Sequence, residues 1–146
     1  MSIIEKHFKE LSCLKEIEIQ KVKTLAYLIK NNTGNIFIVG VGKNSTVAKH
    51  VADTLKSISI RAFVFSPLNC SHGDIGALQP NDLIIYLSKS GNTEELFNIV
   101  NQIKDKQVKT VLISCNQISL ISKNVDYHIY LPFTNETTFM VPTTSI

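Results

Sequence analysis

Five short apolar runs, at residues 36–39, 62–65, 83–87, 111–114 and 127–131, alternate along the chain with stretches of helical pattern. Nothing else in the sequence constrains the fold as strongly. Ile36-Phe37-Ile38-Val39 and Leu83-Ile84-Ile85-Tyr86-Leu87 are continuous rather than alternating. A strand with one wet face would alternate polar with apolar, so these runs predict strands covered on both faces, as in a parallel sheet between helical layers. The intervening sets Val47/Ala48/Val51/Ala52/Leu55 and Leu96/Ile99/Val100/Ile103 recur at helical spacing. Strand alternating with helix implies right-handed crossovers and an α/β architecture with a five-stranded parallel sheet.

Upstream, Ile4, Phe8, Leu11, Leu14, Ile17, Val22, Leu25, Leu28 and Ile29 recur mostly three or four residues apart, with Lys and Glu between them. The spacing predicts an amphipathic helix with a break near Glu18, stopped by Asn31-Asn32-Thr33-Gly34, whose Asn and Gly accept the left-handed conformation that closes a helix. No repeat or linker interrupts the pattern. We therefore read residues 1–146 as one domain: a helical segment at 1–34, an α/β core at 35–131, and a tail at 132–146 that stops without a closing helix. The sheet face such a helix would cover is then open, or covered by a second subunit or by a continuation of the chain.

Composition narrows the function classes. Of 146 residues, 44% are hydrophobic and 18% charged, enough apolar material for a core and too few charges for a disordered chain. The net charge of +3 comes from dispersed Lys with a single Arg, Arg61, so the basic stripe of a nucleic-acid binder is missing. No apolar stretch approaches the roughly 18 to 20 residues a membrane helix requires. No nucleic acid and no membrane is expected as a partner. Acidic residues near the start argue against a signal peptide, and a cytoplasmic location is expected. Cys13, Cys70 and Cys115 are odd in number and far apart, which suits reduced thiols rather than a disulfide framework.

In an open parallel sheet ligands bind beyond the carboxyl ends of the strands, where strand order reverses, which for the order 2-1-3-4-5 lies between strands 1 and 3. The loop after the third run reads Ser88-Lys89-Ser90-Gly91-Asn92-Thr93-Glu94-Glu95. Three hydroxyls, a Gly and a Lys at a helix start describe a phosphate cradle, although Ser90, Asn92 or Thr93 could each be a simple helix cap. The loop after the first run reads Gly40-Val41-Gly42-Lys43-Asn44-Ser45. A dinucleotide fingerprint fails there, because Ser45 stands where the third Gly belongs and the second run ends Val64-Phe65-Ser66 without an acid. A Walker loop fails as well. What remains is a Gly turn presenting Lys43, with Ser45 as the expected N-cap; Lys43 is either solvated or poised to neutralise an anion.

Between runs two and three, Ser71-His72-Gly73-Asp74-Ile75-Gly76 holds a histidine with two readings: bonded to local backbone, or acting as an acid or base near neutral pH. Cys70, His72 and Asp74 as metal ligands is the weaker alternative, since no second cluster completes the sphere. Glu95 suits the positive end of a helix whether or not it also serves as a base.

Together with Pro142-Thr143-Thr144-Ser145, these motifs resemble the sugar isomerase (SIS) domain family, and within it the arabinose-5-phosphate isomerase branch, over nearly the whole chain. The resemblance implies a flavodoxin-like three-layer α/β/α fold, a phosphorylated sugar as ligand, interconversion of aldose and ketose phosphates, and a homo-oligomer, dimer or tetramer. It assigns catalysis to Lys43, His72 and Glu95, and phosphate or substrate binding to Gly42, Asn44, Ser45, Ser88, Ser90, Gly91, Asn92 and Thr93. It calls for no cofactor and no metal. In that chemistry Glu95 takes the C2 proton, Lys43 stabilises the oxyanion and His72 opens the ring or shuttles a proton. Two departures stand out: Asn92 replaces a common Glu, and the family's next helix, with a later His of the isomerase site, lies beyond residue 146. The alternatives are a catalytically silent phosphosugar-binding or regulatory module, or a fragment of a longer isomerase.

Overall fold

The computed structural model describes residues 2–133. Helix α1 (Ile3–Leu11) runs into a 3₁₀ turn at Ser12–Glu16, and α2 (Ile19–Lys30) follows. The break near Glu18 is real: Ile17 and Glu18 are extended, with ψ of 133° and 96°. The stop at Asn31 works differently from the expectation. Asn31 has φ −99°, and neither Asn32 nor Gly34 is left-handed. Instead the Asn31 amide donates to the Tyr27 carbonyl of the last helical turn at 2.8 Å, and the Asn32 amide donates to the Gly34 carbonyl at 2.9 Å, bracing the segment that leads into the sheet.

Strands β1 (Ile36–Gly40), β2 (Ala62–Val64), β3 (Leu83–Leu87), β4 (Lys109–Ser114) and β5 (Tyr127–Tyr130) form one sheet in the order β2-β1-β3-β4-β5. Every pairing is parallel, with Ile36 opposite both Ala62 and Leu83. Helices α3 (Lys43–Ser57), α4 (Pro67–Ser71) and α5 (Glu94–Gln102) lie in the connections, and a 3₁₀ turn at Asp74–Ala77 follows α4. The segment between β2 and β3 that carries His72 is thus a short helix followed by a turn. The chain is the three-layer α/β/α sheet that the continuous apolar runs predict.

Those runs are continuous because both faces of each strand are covered. In β3, Ile84 and Tyr86 join a core with Leu96, Ile99 and Val100 of α5, while Leu83, Ile85 and Leu87 join a second core with Leu28 of α2 and Ala48 and Ala52 of α3. All five β3 residues are buried. At about 1.5 to 3 kcal/mol per buried aliphatic or aromatic side chain, this one strand anchors both layers. The β1-to-β2 and β3-to-β4 crossovers run outward in opposite directions, so a common right hand puts α3 and α5 on opposite faces.

Asp82 ties the lower edge. Its carboxylate is buried and accepts from the Asn35 N–H at 2.7 Å and the Gln79 N–H at 2.8 Å. The amphipathic N-terminal segment is less covered: Ile4, Phe8, Ile19, Val22 and Tyr27 are exposed. Among the described residues no helix is long and apolar enough to cross a membrane. The Pro-Thr-Thr-Ser motif and the tail from residue 134 lie outside the described residues.

Candidate functional site

Two loops meet at the carboxyl ends of β1 and β3, the adjacent central strands whose crossovers diverge. After β1, Gly42 takes φ +62°, a conformation L side chains rarely adopt, and α3 begins at once with Lys43. The helix therefore starts earlier than expected, and Ser45 is not its cap. As the third helical residue, Ser45 turns its hydroxyl back to donate to the Gly42 carbonyl at 2.6 Å. Lys43 is exposed at the positive end of α3, where the helix dipole disfavours a cation and a bound anion would offset that cost. The Asn44 amide reaches the Leu87 carbonyl at 3.4 Å, linking this loop to the end of β3.

The second loop is built from inside. Ser88 is buried, 1% exposed; its hydroxyl pairs with the Thr93 hydroxyl at 2.8 Å and accepts from the Gly91 N–H at 3.0 Å. The simple-cap reading fails for Thr93, which occupies the N-cap position of α5 but makes no side-chain cap bond because its hydroxyl faces Ser88. The first turn of α5 is thus left to attract an anion with its own N–H groups. Ser90 accepts from the Asn92 N–H at 3.1 Å, and Asn92 Oδ1 accepts from the Leu120 N–H at 2.8 Å. Gly91 sits at φ +65°, and a Cβ there would fall on the Ser119 side chain.

A cleft of about 460 Å³ opens beside this loop, lined by Asn44, Lys89, Ser90, Thr93, Cys115, Asn116 and Phe133. Lys89 Nζ lies 5.9 Å from the centre of the Phe133 ring, within cation–π range. Cys115, Asn116 and Phe133 were not singled out from the sequence. The usable signal was positional: Cys115 and Asn116 follow β4 at the same sheet end as the loop at 88–93.

Glu95 lies elsewhere. It is exposed in the first turn of α5 and lines a second cleft, about 390 Å³, with Val41, Gly42, Ser66, Pro67, Leu68 and Asn98. Glu95 and Gly42 are therefore brought together, as are Asn44, Ser90 and Thr93, but on two clefts. Lys43 and His72 line neither. His72 is exposed at the end of α4, its backbone N–H bonded to the Asn69 carbonyl at 2.9 Å. Cys70 is buried in the core beneath it, where desolvation and then the nearby Asp74 charge push its thiol up to about 12. Cys70 is buried while His72 and Asp74 are exposed, and among the described residues no three His, Cys, Asp or Glu side chains group to hold an ion.

His128, on β5, borders a third cavity of about 360 Å³ with Lys21, Thr24 and Asp126. Its Nε2 lies 2.8 Å from the Ser114 hydroxyl, and burial, then the Lys21 charge, lowers its pKa from the usual value.

Comparison with known proteins converges on one family. The SIS domain model matches residues 28–146. The arabinose 5-phosphate isomerase KpsF of Escherichia coli O6:H1 is 32% identical over 133 residues, 90% of this chain and 41% of that protein. The chain spans 33 to 42% of the length of the first curated relatives it matches. A Listeria monocytogenes structure described as a candidate sugar-phosphate isomerase superposes with TM-score 0.84 at 28% identity, covering 97% of this chain and 78% of that one. An E. coli CFT073 protein in complex with arabinose 5-phosphate superposes with TM-score 0.83 at 23% identity, covering 97% and 77%.

Proposed function

The chain belongs to the SIS domain family, and from that premise we propose that it is the sugar-phosphate-binding core of an aldose–ketose isomerase, interconverting arabinose 5-phosphate and ribulose 5-phosphate through an enediol. The observation that carries the reading is the loop at residues 88–93, whose Ser88–Thr93 hydroxyl pair leaves the first turn of α5 without a side-chain cap at the switch point of the sheet. Such a helix start attracts a phosphate, and Lys89 on the same cleft adds positive charge.

Isomerisation needs a base for the C2 proton, donors for the enediolate oxygen and a proton carrier at the carbonyl. The proposal gives these roles to Glu95, Lys43 and His72, with Gly42, Asn44, Ser45, Ser90, Gly91, Asn92 and Thr93 around the substrate and Ser88 beneath them. It has the chain acting in the cytoplasm as a homo-oligomer, dimer or tetramer. The exposed Ile4, Phe8, Ile19, Val22 and Tyr27 support the oligomer; a monomer by light scattering at micromolar concentration counts against it.

The decisive experiment is proton NMR with arabinose 5-phosphate in deuterated water, following ketose formation and exchange at C2. Conversion with exchange is expected, and Glu95→Gln should abolish both. Full turnover by Glu95→Gln removes that residue from the base role, and unchanged sugar-phosphate binding by Ser90→Ala and Thr93→Ala refutes the cradle. A second reading, a binding module without turnover, is favoured by one observation: Glu95 lines a different cleft from Ser90 and Thr93. Ligand-induced shifts without conversion would select it.

A further inference from the structure

The connection between β4 and β5 holds the phosphate loop residue by residue. The Cys115 N–H donates to the Lys89 carbonyl at 2.9 Å, and the Asn116 amide donates to the Ser90 carbonyl at 3.0 Å. The Ile121 N–H donates to the Gly91 carbonyl at 3.1 Å, and the Leu120 N–H to Asn92 Oδ1 at 2.8 Å. Four consecutive loop residues are each fixed by one bond from a single segment. A trans peptide is planar, so a carbonyl drawn toward that segment turns the next residue's N–H the other way. The bonds to the carbonyls of Lys89, Ser90 and Gly91 thus set the directions of the N–H groups of Ser90, Gly91 and Asn92.

Three of these four donors are backbone N–H groups; the bond from Asn116 comes from a side chain. Asn116 is itself held. Its Oδ1 accepts from the Ile118 N–H at 3.3 Å, which leaves the amide NH₂ to face Ser90. Its backbone carbonyl accepts from the buried Ser114 hydroxyl at 3.0 Å. The same hydroxyl lies 2.8 Å from His128 Nε2. The carboxamide stands at the end of a chain of hydrogen bonds anchored in β4 and β5, and it lines the same cleft as Ser90 and Thr93.

We propose that Asn116 is a positioning residue for phosphate binding, its amide clasping the Ser90 carbonyl so that the loop at 88–93 is preformed for the anion, with Asn92 as the reciprocal clasp on Leu120. The inference rests on the phosphate reading of that loop. A preformed cradle binds more tightly because the ordering of the loop does not have to accompany ligand binding.

The test is a titration of the whole chain with inorganic phosphate and with arabinose 5-phosphate, followed on backbone amide NMR signals, for wild type, Asn116→Ala and Asn92→Ala. Wild type is expected to shift the amides of residues 88–95. Asn116→Ala should move the Ser90, Gly91 and Asn92 amide signals before any ligand is added and weaken both ligands about tenfold, as should Asn92→Ala. A purely structural role would lower the melting temperature but leave the dissociation constant, measured well below it, within about twofold of wild type; that result overturns the proposal. Should Asn116→Ala fail to fold, Asn116→Ser keeps a neutral oxygen acceptor for the Ile118 N–H and removes the amide donor to Ser90 without adding charge to the cleft, and the same weakening is required of it. If wild type binds neither ligand, the phosphate reading falls and the clasp with it. Wild-type binding with unchanged variants sinks the clasp alone.

Discussion

Replacing Gly91 with alanine separates two physical costs that the structure places on one atom. The first is conformational: at φ +65° a Cβ crowds its own backbone, costing roughly 1 to 2 kcal/mol. The second is steric. The added Cβ would lie 2.6 Å from Ser119 Cβ and closer still to Ser119 Oγ, in a side chain that is 4% exposed and held by the Ser122 N–H at 3.1 Å. A group so confined moves only by breaking that bond, and overpacking of this kind costs about 1 to 3 kcal/mol. Gly91→Ala should therefore lose about 2 to 5 kcal/mol in urea denaturation, a large share of the roughly 5 to 15 kcal/mol that holds a domain together.

The second cost can be removed independently. Ser119→Gly deletes both clashing atoms, after which the nearest contact is Leu112 Cδ2 at 3.7 Å, an ordinary packing distance. Alone, Ser119→Gly should cost about 1 kcal/mol through the lost bond to Ser122. Combined with Gly91→Ala, its loss should fall short of additive by about 1 to 3 kcal/mol, leaving the conformational cost and the cost of Ser119→Gly itself. Two results would refute the reasoning: a Gly91→Ala protein within about 0.5 kcal/mol of wild type, or a double variant whose losses add to within about 0.5 kcal/mol.

Asp82→Ala orphans the N–H groups of Asn35 and Gln79 beneath β1 and β3 and should destabilise by about 2 to 5 kcal/mol in chemical denaturation; a loss under about 1 kcal/mol would contradict the accounting. Tyr86 is fully buried, and its hydroxyl lacks a partner among the described residues, so Tyr86→Phe should raise stability by about 1 kcal/mol. A fall in melting temperature would mean the hydroxyl is satisfied. His128 has a folded pKa below its ordinary 6.5, so the unfolded chain takes up a proton that the folded chain refuses. Stability from this group is complete above about 6.5 and is lost as pH falls from there through the folded value; denaturation curves across that window should slope less in His128→Gln, and equal slopes would exclude the histidine as the cause.

Much of the architecture was legible because it is written locally. A strand buried on both faces must be apolar at every position, so 36–39 and 83–87 announced a covered parallel sheet, and the structure gives Ile36–Gly40 and Leu83–Leu87. The candidate loop was legible too, since Ser88, Ser90, Gly91 and Thr93 fall within six residues after a strand. Other features were misread where a residue type has two uses of similar energy. Asn31 closes α2 with its side-chain amide rather than a left-handed turn, and Ser45 bonds back to Gly42 rather than capping α3.

Composition and periodicity by themselves determined the layered sheet, the break near Glu18, and which loops stand at the carboxyl ends of the strands. Tertiary structure alone decided who holds those loops. Asn116 and Ser90 are 26 residues apart, and Asn92 and Leu120 are 28 apart. Hydrophobic periodicity is a property of neighbours along the chain and survives in any window of sequence. A hydrogen bond is short and directional, so its partner is chosen only when β3 and β4 align side by side and bring their following loops within about 3 Å.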